Sequence, residues 1–183
     1  MLETVDFRAN NYGESVARIL SLDGDGRRAM SLAGAADASI EARDAIRRFK
    51  ARDLFPSAHS PEGALSGLYL YFSCLDEAHT VAQELETADG SFWHGILHRR
   101  EPDAGNAAYW FRQVGKHPVF PALRDDAHRL RFDTGREWDP FEFIEFCDAS
   151  RERSGSEEEN IARQVQLCEW QLLFDYCARE KSR

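Results

Sequence analysis

The chain has 183 residues, of which 43% are hydrophobic, and its 23 basic and 32 acidic residues give a net charge of −9. This composition fits one globular domain over residues 1–183, since a single core serves chains of up to roughly 250 residues. The negative charge repels a phosphate backbone, and no run of Lys and Arg is interleaved with aromatic residues, so no nucleic-acid partner is expected.

The sequence also argues against a membrane protein. No stretch approaches the roughly 18 uninterrupted apolar residues of a membrane span. The first residues, Met1 to Asp6, lack the basic-then-apolar layout of a signal peptide. The four cysteines form no C-x-x-C pair, which argues against a zinc ribbon or a thioredoxin-like motif. We therefore expect a cytoplasmic protein with buried thiols and no membrane partner.

Apolar residues at three- and four-residue spacing predict a mainly α fold, a bundle-like array of about six to eight helices. The first lies around Val16 to Leu20, and another runs from Asp37 to Phe49. Between them, Asp23-Gly24-Asp25-Gly26 predicts a tight turn. Arg27 and Arg28 stand where an EF-hand needs a ligand and the turn glycine, so calcium is not expected there.

The longest predicted helix runs from Pro61 to about Leu85, with Ser60 as its N-cap. One face carries six residues at helical spacing: Leu65, Leu68, Phe72, Leu75, His79 and Ala82. His79 is therefore expected to point inward. This helix and the last one, which begins at a Ser156/Glu159 capping box, are expected to frame the core.

Shorter helices are predicted between residues 89 and 150. The capping residues and helix breakers that mark them are, in chain order, Asp89 or Ser91, Pro102, Asp103 or Asn106, Gly115, Pro118, and Asp139-Pro140. The first of these helices is expected to end near Glu101, because Pro102 disfavours the helical conformation in the residue before it.

The segment from Ser91 to Arg136 differs from the rest of the chain in charge. Its eight basic and five acidic residues give a local net charge of +3, and it holds four of the six histidines and two of the four tryptophans. A positive, aromatic segment in an acidic protein is typical of a binding site for a small anion. The alternative is that these cations form ordinary ion pairs with acidic neighbours.

One arrangement within this segment indicates a metal. His94 and His98 lie one helical turn apart, and Glu101 follows three residues later, so all three share one face. His79 is a further candidate ligand, provided that the two helices are antiparallel neighbours. Such a set suits a divalent transition metal such as zinc, although the motif lacks the glutamate of H-E-x-x-H.

The same residues also fit a site without a metal. His98 beside Glu101 or Asp103 is an acid/base pair that moves protons near neutral pH. Arginine binds a carboxylate or phosphate through two N–H groups, and aromatic side chains supply an apolar wall. The predicted ligand-binding residues are Arg99, Arg100, Asn106, Tyr109, Trp110, Arg112 and His117. A buried ion-pair network that only joins two helices has the same composition, and both interpretations stay open.

These residues form a recognisable run. The chain reads His98-Arg99-Arg100-Glu101-Pro102-Asp103, then Asn106-Ala107, then Tyr109-Trp110-Phe111-Arg112, with Gly115 and His117-Pro118-Val119 beyond. This pattern, H-R-R-E-x-D-x-x-N-A-x-Y-W-F-R, resembles a signature of uncharacterised bacterial and fungal proteins that has no assigned activity. The resemblance implies that the segment, with His94, holds functional positions. It implies no reaction.

Three functional hypotheses follow. The first is a binder or enzyme for a small polar or anionic molecule, with Arg100 and Arg112 as the clamp in a pocket formed by residues 94–117. The second is a metal-dependent hydrolase that uses His94, His98 and Glu101. The third is a non-enzymatic interaction module or homodimer anchored by Trp93, Trp110 and Arg112.

Overall fold

The computed structural model describes residues 6–34 and 38–180. In this part of the chain the α-helices are α1 (Glu14–Leu20), α2 (Ile40–Ile46), α3 (Ala51–Leu54), α4 (Pro61–Tyr71), α5 (Leu75–Ala82), α6 (Ala88–Arg100), α7 (Ala104–Val114), α8 (Phe120–Arg129), α9 (Pro140–Arg151) and α10 (Glu157–Ala178). Short 3₁₀ helices cover Ala9–Tyr12 and Ser21–Gly26. The predicted mainly α class is confirmed, with more helices than the expected six to eight.

Several predicted helix starts are confirmed by their capping hydrogen bonds. The Asp139 carboxylate accepts backbone N–H groups in the first turn of α9, and the Asp103 carboxylate does the same for α7. At α10, the Ser156 hydroxyl accepts from the backbone N–H of Glu159. The Glu159 carboxylate reaches back to the N–H of Gly155 rather than that of Ser156. These caps satisfy N–H groups that a helix start leaves without partners.

The long helix predicted from Pro61 to Leu85 is wrong, because the chain turns back between α4 and α5. Ser73 adopts a positive φ of 59°, which ends the helical path. The Ser66 hydroxyl on α4 then donates to the Ala78 carbonyl oxygen on α5, at 2.9 Å. The two short helices therefore pack against each other as a hairpin.

Two other boundaries differ from the prediction. The helix expected from Asp37 to Phe49 is represented by α2, which is shorter, and Asp37 itself lies outside the described residues. Neither Asp89 nor Ser91 caps α6. The Thr87 hydroxyl does so, by accepting a backbone N–H of the first turn. The helix consequently begins one residue before Asp89.

The core is built around α10, which packs against α4, α8 and α9. Trp170 at its centre lies 4.7 Å from Tyr71 and 4.9 Å from Phe174 between ring centroids, and its Nε1 donates to the Gly67 carbonyl oxygen at 2.7 Å. All four cysteines are free, and Cys168 alone is not fully buried. In the described ranges no helix has the length and apolar character to cross a membrane.

Helix α6 is buried along most of its length, and its close contact with α7 depends on a glycine. A Cβ atom on Gly95 would stand 2.6 Å from the Phe111 ring, closer than carbon atoms approach in folded proteins. Glycine therefore lets the two helices approach each other at this level.

Arg99 on α6 forms an ion pair inside the protein. Both its side chain and that of Glu169 on α10 are 0% exposed. Arg99 Nη1 donates to Glu169 Oε1 at 3.2 Å, Nη2 donates to Oε2, and the guanidinium lies 4.5 Å from the centre of the Phe143 ring. Burial raises the pKa of the Glu169 carboxyl, and Arg99 opposes that shift. Each charge is tolerable in the core only because the other is present.

Arg100 is also buried, and its side chain joins α6 to the turn between α4 and α5. Its guanidinium donates to the Leu70 carbonyl oxygen at 2.5 Å, to Ser73 Oγ at 2.9 Å and to the Ser31 carbonyl oxygen at 3.1 Å. The Arg100 carbonyl oxygen in turn accepts from the N–H of Gly34. A hydroxyl and carbonyl oxygens of the protein itself thus engage this arginine.

We expect the buried pair to be strongly coupled. Arg99→Met leaves the Glu169 carboxylate without a cation in the core, which costs about 3–5 kcal/mol of unfolding free energy. The double variant Arg99→Met/Glu169→Leu should lose less than Arg99→Met alone, because no charge stays buried. Urea denaturation of Arg99→Met, Glu169→Leu and the double variant measures this coupling. Strictly additive losses would contradict it.

Candidate functional site

The residues predicted to form one pocket are divided among three places along α6. Arg99 and Arg100 are 1% and 0% exposed and bind partners inside the protein. Their assignment as ligand-binding residues, and that of Arg100 as an anion clamp, is therefore corrected: they join α6 to its neighbours. His79, His94 and His98 lie near the second half of α6, whereas His117 lies near its first turn.

Three histidines from two helices lie close together. Between ring centroids, His79 on α5 lies 5.0 Å from His94 and 5.7 Å from His98, and the two α6 rings lie 6.0 Å apart. Trp110 on α7 covers the His94 ring at 4.0 Å with an interplanar angle of 13°. We call this set the histidine cluster: His79, His94, His98 and Trp110.

The environment of His94 favours its neutral form. The ring is 1% exposed, and its Nδ1 donates to the Gly90 carbonyl oxygen at 3.2 Å, because that oxygen can only accept. Burial lowers the pKa of His94 from 6.5 to about 4; the neighbouring rings of His79 and His98 add to this effect, and the bond to Gly90 opposes it. His94 is thus uncharged at neutral pH.

The histidine cluster does not have the geometry of a metal centre. Throughout residues 6–34 and 38–180, no three His, Cys, Asp or Glu side chains are arranged to hold a metal ion. His79, His94, His98 and Glu101 therefore come close to one another without forming the predicted zinc site. The metal-dependent hydrolase stays a prediction that this geometry does not support.

The acid/base residues separate into a pair and a helix cap. His98 Nδ1 lies 2.9 Å from Glu101 Oε2, as predicted. The Asp103 carboxylate instead accepts from the backbone N–H and the side-chain Nδ2 of Asn106, and these bonds lower the pKa of Asp103. Asp103 and Asn106 therefore begin α7, and their catalytic and ligand-binding roles stay predictions.

The aromatic residues of α7 are divided between the core and the surface. Tyr109 is 50% exposed, and Arg112 lies over the Phe141 ring of α9 at 5.7 Å. Trp93 on α6 is fully buried, so it cannot anchor an interface. Of the three residues named for a homodimer, only Trp110 and Arg112 can contribute, and the homodimer stays a prediction.

His117 is buried near the start of α6 and is held at both ring nitrogens. Its Nε2 lies 3.0 Å from Asp89 Oδ1, and its Nδ1 accepts the backbone N–H of Val119 at 3.3 Å. His59 Nε2 lies 3.4 Å from the other oxygen of Asp89, and the His59 ring lies 4.8 Å from that of Tyr176. His59 is thus partly buried in a polar cluster.

A cavity of about 310 Å³ opens beside His117, between α8 and the segment that precedes α9. We call it the α8 cavity. Its lining residues are Lys116, His117, Phe120, Pro121, Arg124, Arg136, Glu137 and Trp138. The sequence assigned only His117 to a site. The +3 charge of residues 91–136 was the signal for the other cations, whereas nothing in the sequence indicated Trp138.

Comparison with known proteins identifies no relative. No protein-family model, curated protein or solved structure matches the chain. The resemblance of residues 98–112 to a bacterial and fungal signature therefore stays a prediction.

The neutral state of His94 predicts a pH-dependent stability. An unfolded chain binds a proton at this histidine below about pH 6.5, whereas the folded protein does so only near pH 4. The free energy of unfolding should therefore fall as the pH drops through this window. Urea denaturation at pH 7 and pH 4.5 should show about 2 kcal/mol more loss for the wild type than for His94→Phe. Equal losses in the two proteins would contradict this account.

Proposed function

We propose that this protein binds a small organic anion in the α8 cavity. The observation that carries the proposal is that two cations of the cavity have no ion-pair partner. Lys116 and Arg136 line the cavity, and neither side chain forms an ion pair with any described residue. A bound carboxylate, sulfonate or phosphate would supply the missing negative partner. The proposal keeps the predicted ligand class and moves the site away from His94, Arg100 and Arg112.

Charge at the cavity supports an anionic ligand. The lining carries three cations, Lys116, Arg124 and Arg136, against the single carboxylate of Glu137. Arg124 already pairs with Asp125, at 2.5 Å. A positive lining in a chain of net charge −9 attracts small anions locally while the rest of the surface repels them.

The shape and composition of the cavity favour an anion with an apolar body. Phe120, Pro121 and Trp138 supply apolar lining beside the cations. A volume of about 310 Å³ lies at the lower end of the range of small-molecule sites, which favours a ligand built on a single ring. His117 shapes the cavity without binding the ligand, because Asp89 and Val119 engage both its nitrogens.

The proposal concerns binding and assigns no reaction. The His98–Glu101 pair, which has the composition of an acid/base couple, lies near the end of α6. The α8 cavity lies beside His117, which contacts Asp89 in the first turn of α6. His98 lies nine positions after Asp89 on the helix, which corresponds to roughly 13 Å along the axis. The couple therefore does not reach a ligand in the cavity.

Isothermal titration calorimetry with benzoate, phenyl phosphate and the neutral benzyl alcohol tests the proposal. We expect the two anions to bind and benzyl alcohol to bind far more weakly. The variant Lys116→Gln/Arg136→Gln should weaken benzoate binding by at least about tenfold, since it removes two charged hydrogen-bond donors.

The matched control is Lys50→Gln/Arg153→Gln, which changes the net charge equally at exposed positions outside the cavity. It should leave benzoate binding nearly unchanged. Equal weakening by both double variants would show a non-specific charge effect. That outcome, or no binding of either anion to the wild type, would overturn the proposed function.

A further inference from the structure

Trp138 forms part of the wall of the α8 cavity and has an unusual hydrogen-bonding state. It is 6% exposed, and its ring packs 5.2 Å from Phe143 and 6.1 Å from Phe132 between centroids. Its indole Nε1 is buried and has no hydrogen-bond acceptor in the described part of the chain. Leaving a buried N–H unpaired costs about 1–3 kcal/mol, so such a group calls for an explanation.

The other two buried tryptophans, Trp93 and Trp170, do not line the α8 cavity. The Nε1 of Trp170 donates to the Gly67 carbonyl oxygen at 2.7 Å. The Nε1 of Trp93 is buried without a hydrogen-bond partner, as in Trp138, but Trp93 does not line the α8 cavity. Trp138 differs from both because its unpaired N–H belongs to a residue that lines a cavity with two unpaired cations at its edge.

We infer that the ligand of the α8 cavity is an oxyanion with a flat apolar body, and that one of its acid oxygens accepts a hydrogen bond from Trp138 Nε1. This inference rests on the proposed function and narrows it. An acid oxygen satisfies the indole N–H and the charges of Lys116 and Arg136 together, whereas a neutral apolar molecule satisfies none of them. The body of the ligand packs on Phe120 and Pro121.

Access to the N–H requires a local rearrangement. Less than 1 Å² of the Nε1 atom is exposed, so an acceptor reaches it only after side chains at the cavity move. Lys116 and Arg136 can move without breaking an ion pair to any described residue. Binding therefore orders these two side chains around the acid group of the ligand while the indole ring stays packed on Phe143.

The indole N–H resonances of the four tryptophans test the inference in a ¹H–¹⁵N correlation spectrum, where Trp138→Phe identifies the resonance of Trp138. Adding benzoate to the wild type should move this resonance downfield, because a hydrogen bond to a charged oxygen deshields the proton. The resonance of Trp170, which already has its acceptor, is the internal control and should not move. Benzyl alcohol should produce no such shift.

Phenyl phosphate and inorganic phosphate separate the possible sources of the oxyanion. If the apolar body matters, phenyl phosphate shifts the resonance at lower concentration than inorganic phosphate. If inorganic phosphate is equally effective, the flat apolar body is wrong. If benzoate binds and leaves the Trp138 resonance in place, an ordered water or a cavity rearrangement satisfies the N–H, and the inference is overturned.

A variant distinguishes this inference from the proposed function. Trp138→Phe keeps an aromatic ring in the wall and removes the donor, so it should weaken benzoate binding by about tenfold. An unchanged benzoate affinity in Trp138→Phe, with binding still lost in Lys116→Gln/Arg136→Gln, would refute the indole contact and leave the proposed function standing. Failure of benzoate and phenyl phosphate to bind the wild type would refute both.

Discussion

Arg99 and Arg100 are consecutive residues with their guanidinium groups inside the protein, and the position of α6 depends on both. Adjacent side chains on a helix point about 100° apart, so the two arginines reach different neighbours. Arg99 pairs with Glu169 on α10, and Arg100 binds the turn between α4 and α5 together with the backbone at Ser31. Since a buried charge without partners is very unfavourable, α6 cannot move away from these elements.

The fixed position of α6 decides where the polar residues on its other faces lie. Near its second half, His94 and His98 meet His79 of α5 under the Trp110 ring. Near its first turn, Asp89 orients His117, which forms one side of the α8 cavity. The buried contacts of Arg99 and Arg100 thereby place the histidine cluster near the second half of α6 and the cavity near its first turn.

The parts of this structure that were predictable are those that local chemistry determines. The Asp103, Asp139 and Ser156 caps were correctly assigned, because a side chain that caps a helix acts within three residues of itself. The break at Ser73 was missed, because apolar spacing continues through it and a contact 27 residues away, from Arg100, holds it. Arg99 and Arg100 were assigned to a ligand because arginine binds carboxylates and phosphates through two N–H groups. Their burial was missed because the partner of Arg99, Glu169, lies 70 positions further along the chain.

Charge segregation in residues 91–136 was the strongest functional signal, and the structure separates the cations of that segment into two kinds. Several pair with carboxylates of the chain: Arg99 with Glu169 in the core, and Arg124 with Asp125 and Arg131 with Glu157 nearer the surface. Lys116 and Arg136 do not, although the chain has more carboxylates than basic residues. Ion pairing explains the first kind completely. The second kind is exposed and lines the α8 cavity, where the proposed anion would supply its negative partner.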